Sequence, residues 1–223
     1  MPLATAGSQR WIQVAINRRP DLVLTALRRA NAISDSTTIH WASPLESEDC
    51  CEYRDGVALK RAGIDTLPLR SLGAFWPARG PVWDAVGRTS DGVAVFVEAK
   101  AHIPEAASPA SRATPQSLKL IRQSLEEARR WYAPRSRCDW SGTFYQYANR
   151  LAHQYFVSEV NALPSILVFM YFTNAPGMNG PTCDAEWKGA IRLLHAALGL
   201  PERLESRGVF DAFLDVGTLE DAV

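Results

Sequence analysis

The sequence predicts an α/β fold, a central mixed β-sheet flanked by helices. Three observations predict it. The runs Val93-Ala94-Val95-Phe96-Val97 and Ser165-Ile166-Leu167-Val168-Phe169-Met170-Tyr171-Phe172 are continuously apolar, the pattern of strands buried on both faces. Residues 116–132, 144–157 and 185–198 repeat apolar side chains at helical spacing. Between two β-type runs stands the turn signal Asp91-Gly92, so a hairpin and helix-separated strands share one chain.

Taken in order, residues 8–18 and 20–33 read as helices, with Ser8 as N-cap, a restart at Pro20-Asp21 and an apolar stripe of Leu22, Ala26, Leu27 and Ala30. Arg18-Arg19 and Arg28-Arg29 are then either solvated faces or a phosphate-facing surface. Residues 37–42 read as a strand ended by Ser43-Pro44, and residues 52–61 as a helix closed by Gly63, with Glu52 and Asp55 on one face. Residues 67–76 read as strand and loop, and the Pro- and Gly-containing stretch 76–81 as a stiff approach to the hairpin. Residues 104–115, rich in Ala, Ser and Pro, form a loop. Helix 116–132 buries Leu118, Ile121, Leu125 and Ala128 and pairs Glu126 with Arg130 outside. Helix 144–157 has an apolar face of Phe144, Ala148, Leu151 and Tyr155. A row of Gln146, Asn149, Arg150 and His153 is either a solvent face or the border of a site. Strand 165–172 is expected inside the sheet; after the loop 174–181 come helix 185–198 and a last strand over 209–216.

With 223 residues, and without repeats or a domain-length linker, the chain reads as one domain over 1–223. Residues 1–35 read as a helical N-terminal extension packed on its core. No stretch has the length and apolarity of a membrane span, and the first residues lack a signal-peptide layout, so a soluble, cytoplasmic protein without membrane partners is expected. Cys50, Cys51, Cys138 and Cys183 show no zinc spacing and read as packing residues. Lys plus Arg and Asp plus Glu both number 24, which argues against coating nucleic acid by bulk charge. An enzyme that meets phosphates through a metal and a few arginines stays open.

The chemistry concentrates at the hairpin. If Ser90-Asp91-Gly92 is a three-residue loop with Gly92 left-handed, Thr89 opposes Val93 and Asp84 opposes Glu98. Opposed side chains share a face, with Cβ atoms about 4.5–5.5 Å apart. A two-residue Asp-Gly loop would instead send the two acids to opposite faces. In the first register Glu98, Lys100 and His102 line up with Asp84, while Val97, Ala99 and Ala101 enter the core. Facing carboxylates are costly to bury without a cation between them, and a divalent metal is the obvious one. The plain alternative is a solvated Glu98–Lys100 pair worth little.

Asp84 followed by Glu98-Ala99-Lys100 on a hairpin resembles the PD-(D/E)xK nuclease superfamily, the restriction-endonuclease-like fold, over about residues 52–172. The resemblance implies that Asp84 and Glu98 bind magnesium (manganese as a substitute) and that Lys100 assists the attacking water. It implies a further acid from the preceding helix, Glu52 by position or else Asp55, and matches Gln146 to a glutamine near the start of a later helix. The sequence departs from the motif at its proline: Pro81 lies three positions before Asp84, and Trp83 takes the adjacent place. Proline carries no catalytic atom, so the chemistry is untouched.

Magnesium needs few protein oxygens, and the Ala99 carbonyl could add a third ligand to Asp84 and Glu98. Glu52 could hold a second ion. Gln146, Arg150 and His102 are the candidates for contacting substrate; His102 has the alternative of serving a backbone carbonyl. The resulting expectation is a magnesium-dependent, nuclease-like phosphodiester hydrolase acting on DNA. The competing expectations are a catalytically idle nuclease-fold module that binds nucleic acid or a protein, and a phosphoesterase of small substrates. Seven tryptophans leave room for an aromatic homodimer interface.

Overall fold

A computed structural model describes residues 3–219. Helices α1 (Gly7–Arg18) and α2 (Pro20–Arg29) precede β1 (Ile39–Ser43). Strand β2 (Tyr53–Arg54) runs into α3 (Asp55–Arg61), followed by α4 (Leu72–Phe75), β3 (Val82–Trp83), β4 (Ala85–Thr89) and β5 (Ala94–Lys100). Then come α5 (Ile103–Ala106), α6 (Pro115–Tyr132), α7 (Tyr145–Tyr155) prolonged by a π-turn at Phe156–Val160, β6 (Ser165–Thr173), α8 (Asp184–Leu198) and β7 (Val209–Asp215).

The main sheet has the order β1-β4-β5-β6-β7. β1, β4 and β5 pair antiparallel, and β5, β6 and β7 pair parallel, so the sheet is mixed as expected. Every residue of β5 and β6 is buried. Alternation divides them between two cores. Val95, Val97, Ala99, Val168 and Met170 pack with Trp11, Ile12, Ile16, Val23 and Leu27 of α1 and α2. Ala94, Phe96, Leu167, Phe169 and Tyr171 pack with Leu125, Tyr147, Leu151 and Trp187 of α6, α7 and α8. The N-terminal helices therefore form one of the two layers that cover the sheet. Trp187 also ties α8 to the sheet by donating from Nε1 to the Phe172 carbonyl at 2.8 Å.

Several boundaries differ from the sequence reading. Helix α2 stops at Arg29 instead of reaching residue 33, because the chain turns left-handed at Asn31 (φ 55°). The N-cap of α1 is Ala6, with no side-chain cap, not Ser8. The expected helix 52–61 is two elements: Tyr53 and Arg54 are drawn into an antiparallel pair with Trp83 and Val82, and the helix starts only at Asp55. The stretch read as strand and loop over 67–76 holds the single turn α4 and no strand. Gly63, at φ 78°, ends α3 as expected. The arginine pairs are engaged locally: Arg18 with Glu46 at 3.1 Å, Arg19 with Asp21 at 3.0 Å, and Arg28 with the Thr37 carbonyl at 3.1 Å. All four cysteines are free. Among the described residues, no helix is long and apolar enough to cross a membrane.

Asp211 on β7 is a half-buried acid between the buried Phe210 and Ala212. Its Oδ1 is buried with no hydrogen-bond partner. Burial first, then the charge of Glu205, push its carboxyl up from 3.8 to about 7. Between those two values the folded chain keeps a proton that the unfolded chain releases, so Asp211 lowers stability progressively as pH rises through that window. Asp211→Asn is expected to gain about 2 kcal/mol at pH 8 and little at pH 4, measured by urea unfolding. An equal gain at both pH values would exclude titration as the cause.

Candidate active site

The hairpin has the three-residue loop. Ala85 pairs with Val97, Val86 with Phe96, Gly87 with Val95 and Arg88 with Ala94; the pairing ends there, and Asp84 is a bend just before β4. Gly92 is left-handed at φ 89°, and the Thr89 amide donates to the Val93 carbonyl at 2.9 Å. Asp84 fills the gap between β3 and β4. Its amide donates to the Val97 carbonyl at 3.1 Å, and its Oδ2 accepts the Ala99 amide at 2.6 Å. In a strand the amide and carbonyl of one residue point to the same edge, so the Ala99 carbonyl also leaves β5 toward Asp84. The two-residue loop is excluded.

Glu98 is 1% exposed and faces α7. Its Oε1 accepts from Lys100 Nζ, which also donates to Gln146 Oε1 at 3.0 Å. Its Oε2 accepts from Arg150 Nε at 2.6 Å and lies 2.5 Å from Arg150 Nη2. The guanidinium is braced on every side. Nη2 donates to the Val82 carbonyl at 2.7 Å, Nη1 donates to Asn149 Oδ1 at 2.8 Å, and the group lies 4.9 Å from the Trp83 ring centre. Burial opposes the charge on Glu98, but Arg150 and Lys100 outweigh it and hold the carboxyl below its usual range. Asp84 goes the other way: burial and the neighbouring Glu98 charge push it to about 8. The positive charge in this cluster serves Glu98 and leaves Asp84 short of a cation.

Helix α7 is positioned by the loop that follows β5. Ser108 accepts the Gln146 amide on its Oγ at 2.8 Å and the Phe144 amide on its carbonyl at 3.0 Å. That capping sets Gln146 over Lys100. The polar row of α7 is not a solvent face, since Asn149, Arg150 and His153 are all buried. Only Gln146 and Arg150 of that row touch Glu98 or Lys100. His153 instead sits 4.6 Å from the Trp76 ring and donates from Nδ1 to the Asn149 carbonyl at 2.9 Å; burial lowers its pKa to about 3, so it is neutral.

The remaining acids separate cleanly. Glu52 lies just before β2, not on a helix, and its Oε1 accepts from Gln9 Nε2 of α1 at 2.9 Å. Burial raises its pKa, and the charge of Glu98 adds to the rise, which places Glu52 in the electrostatic neighbourhood of the hairpin acids. Asp55 is committed elsewhere: its two oxygens accept the Arg79 and Gly80 amides at 3.0 and 2.8 Å, and brace that loop. Between the two candidates, Glu52 is the one near the site. His102 lies beyond the end of β5 with Nδ1 3.3 Å from Glu105 Oε1, facing that carboxylate rather than a backbone carbonyl. Gln9, Ser108, Trp83 and the pairing role of Arg150 were not singled out by the sequence reading. The α7 spacing had placed Arg150 in the right row, but no local signal marks the other three.

Among the described residues, no three His, Cys, Asp or Glu side chains gather into a metal-holding group. The donors at hand are two carboxylates and a backbone carbonyl. That set fits a hard cation such as magnesium, which retains waters and takes one or two carboxylates plus substrate phosphate. No protein-family model, no curated protein and no solved structure matches the chain. The functional reading rests on the chemistry of the site.

Proposed function

We propose that this chain is a magnesium-dependent phosphodiester hydrolase acting on DNA, built on a restriction-endonuclease-like sheet. The observation that carries the reading is the cluster at the hairpin: Asp84 on the Ala99 amide, next in the chain to Glu98, with Lys100 bonded to Glu98 and Gln146. Asp84, Glu98 and the Ala99 carbonyl would hold the ion, and Glu52 feels the charge of Glu98 without joining them in one metal-holding group. The bound ion supplies an activated water and charge stabilisation at the phosphoryl group. Lys100 orients that water and offers a positive charge to the phosphate, and Gln146 fixes the ammonium for the task. Arg150 carries a planar fork of the kind that matches phosphate oxygens, turned in the resting protein on Glu98, Asn149 and the Val82 carbonyl.

Incubating the full chain with single- and double-stranded DNA and magnesium or manganese is expected to give cleavage that EDTA stops. Absence of cleavage by the wild type with either ion would remove the reading. So would cleavage undiminished by Glu98→Ala and Lys100→Ala. A second reading, an idle nuclease-fold module, draws on the same buried cluster: Glu98 already has two cationic partners and needs no ion for its own charge. Calorimetry with calcium and a short deoxyoligonucleotide together separates the two, because the idle module takes up no ion.

A further inference from the structure

Two cations occupy Glu98. Arg150 Nε donates to Oε2 at 2.6 Å, while Nη2 lies 2.5 Å from the same oxygen but donates to the Val82 carbonyl. Lys100 takes the other oxygen. A divalent ion approaching this carboxylate therefore meets two positive charges, and the ion alone is poorly received. The guanidinium does not depend on Glu98 to stay in place. The Val82 carbonyl, Asn149 Oδ1 and the Trp83 ring hold it as well. Arg150 and Glu98 are both buried, so the guanidinium can leave Oε2 only if another anion takes over its charge.

Building on the hydrolase reading, we propose that Arg150 is that exchangeable group. It neutralises Glu98 in the resting protein and transfers to a non-bridging oxygen of the phosphodiester, freeing Oε2 for the metal ion. Metal and substrate then bind cooperatively through one side chain. The phosphodiester brings the negative charge that Arg150 gives up at Glu98, and the ion brings the positive charge that Glu98 loses. By linkage each must tighten the other by the same factor. Arg150 is thereby a substrate-contacting residue whose second role is to keep the site from loading with metal before DNA is present.

The test is a calorimetric titration of calcium into the full chain, with and without a short single-stranded deoxyoligonucleotide whose intactness is checked afterwards. Calcium serves as a hard, oxygen-seeking probe. The wild type is expected to bind the ion at least about tenfold more tightly with the oligonucleotide present, and the oligonucleotide more tightly by the same factor with the ion. Arg150→Gln should bind calcium alone about tenfold more tightly than the wild type and keep a coupling below about twofold. Arg150→Lys, which keeps the charge without the fork, should also lose the coupling and replaces the first variant if circular dichroism shows that one unfolded. Absence of coupling in the wild type overturns the proposal, as does coupling that survives in the variants. No ion binding in any arm removes this inference together with the hydrolase reading. Ion binding and DNA cleavage without coupling remove the inference alone.

Discussion

Glu98→Gln is expected to lower cleavage by more than about a hundredfold and, in the same protein, to cost the fold about 3 kcal/mol. The two losses share one cause. Glu98 is 1% exposed and is the common partner of Lys100 and Arg150, so an amide in its place leaves two cations without their counter-charge. The amide oxygen can still accept from Arg150, but the amide nitrogen then faces the Lys100 ammonium, donor against donor. Breaking one side of a buried pair costs about 3–5 kcal/mol. The low end applies because Asp84, raised chiefly by burial and next by the charge of Glu98, ionises more readily once that charge is gone and takes up part of the load. Urea unfolding and a single-turnover cleavage assay read the two effects separately. A variant as stable as the wild type would show that the Glu98 cluster is solvated and its charges screened.

Lys100→Met separates chemistry from metal binding. Methionine keeps most of the aliphatic stem, and Arg150 still neutralises Glu98, so the fold should lose under about 1 kcal/mol. The ammonium that would orient water and meet the phosphate is gone, and cleavage should fall by about 10²–10⁴-fold, the usual scale for losing a positioned proton-handling group. Ion affinity should stay level or rise, because one positive charge has left the Glu98 oxygen. Glu98→Gln thus loses ion binding and cleavage together, while Lys100→Met loses cleavage only. Calorimetry beside a single-turnover rate makes the comparison. A Lys100→Met protein cleaving within tenfold of the wild type would remove Lys100 from the chemistry and leave it as a counter-ion.

The local features read from sequence are those set by short-range geometry. Gly92 permits the left-handed residue of the loop, and that single position selects the register that pairs Arg88 with Ala94 through Ala85 with Val97. The apolar runs of β5 and β6 required cover on both faces, and the cover is there, with α1 and α2 on one side and α6, α7 and α8 on the other. The misreadings sit where a distant partner decides. Tyr53 and Arg54 have helix-compatible neighbours, but pairing with Val82 and Trp83 pulls them into a strand. Glu52 therefore lies off the helix, just before β2, held by Gln9 across 43 positions of chain. The polar row of α7 could face solvent or a site, and only the packing of that helix on the sheet makes Arg150 a buried partner of Glu98, 52 positions away.

By itself, then, the chain's order of residues determined the hairpin register, the doubly buried strands and the identity of the hairpin acids, because turn conformation, strand alternation and helical period act over a few residues. Only the tertiary structure decided how the charges are settled: Arg150 and Lys100 on Glu98, Asp84 left without a cation, and Asp55 spent on a loop. The physical reason is that burial and Coulomb interactions depend on distance through space, and neither is encoded by spacing along the chain.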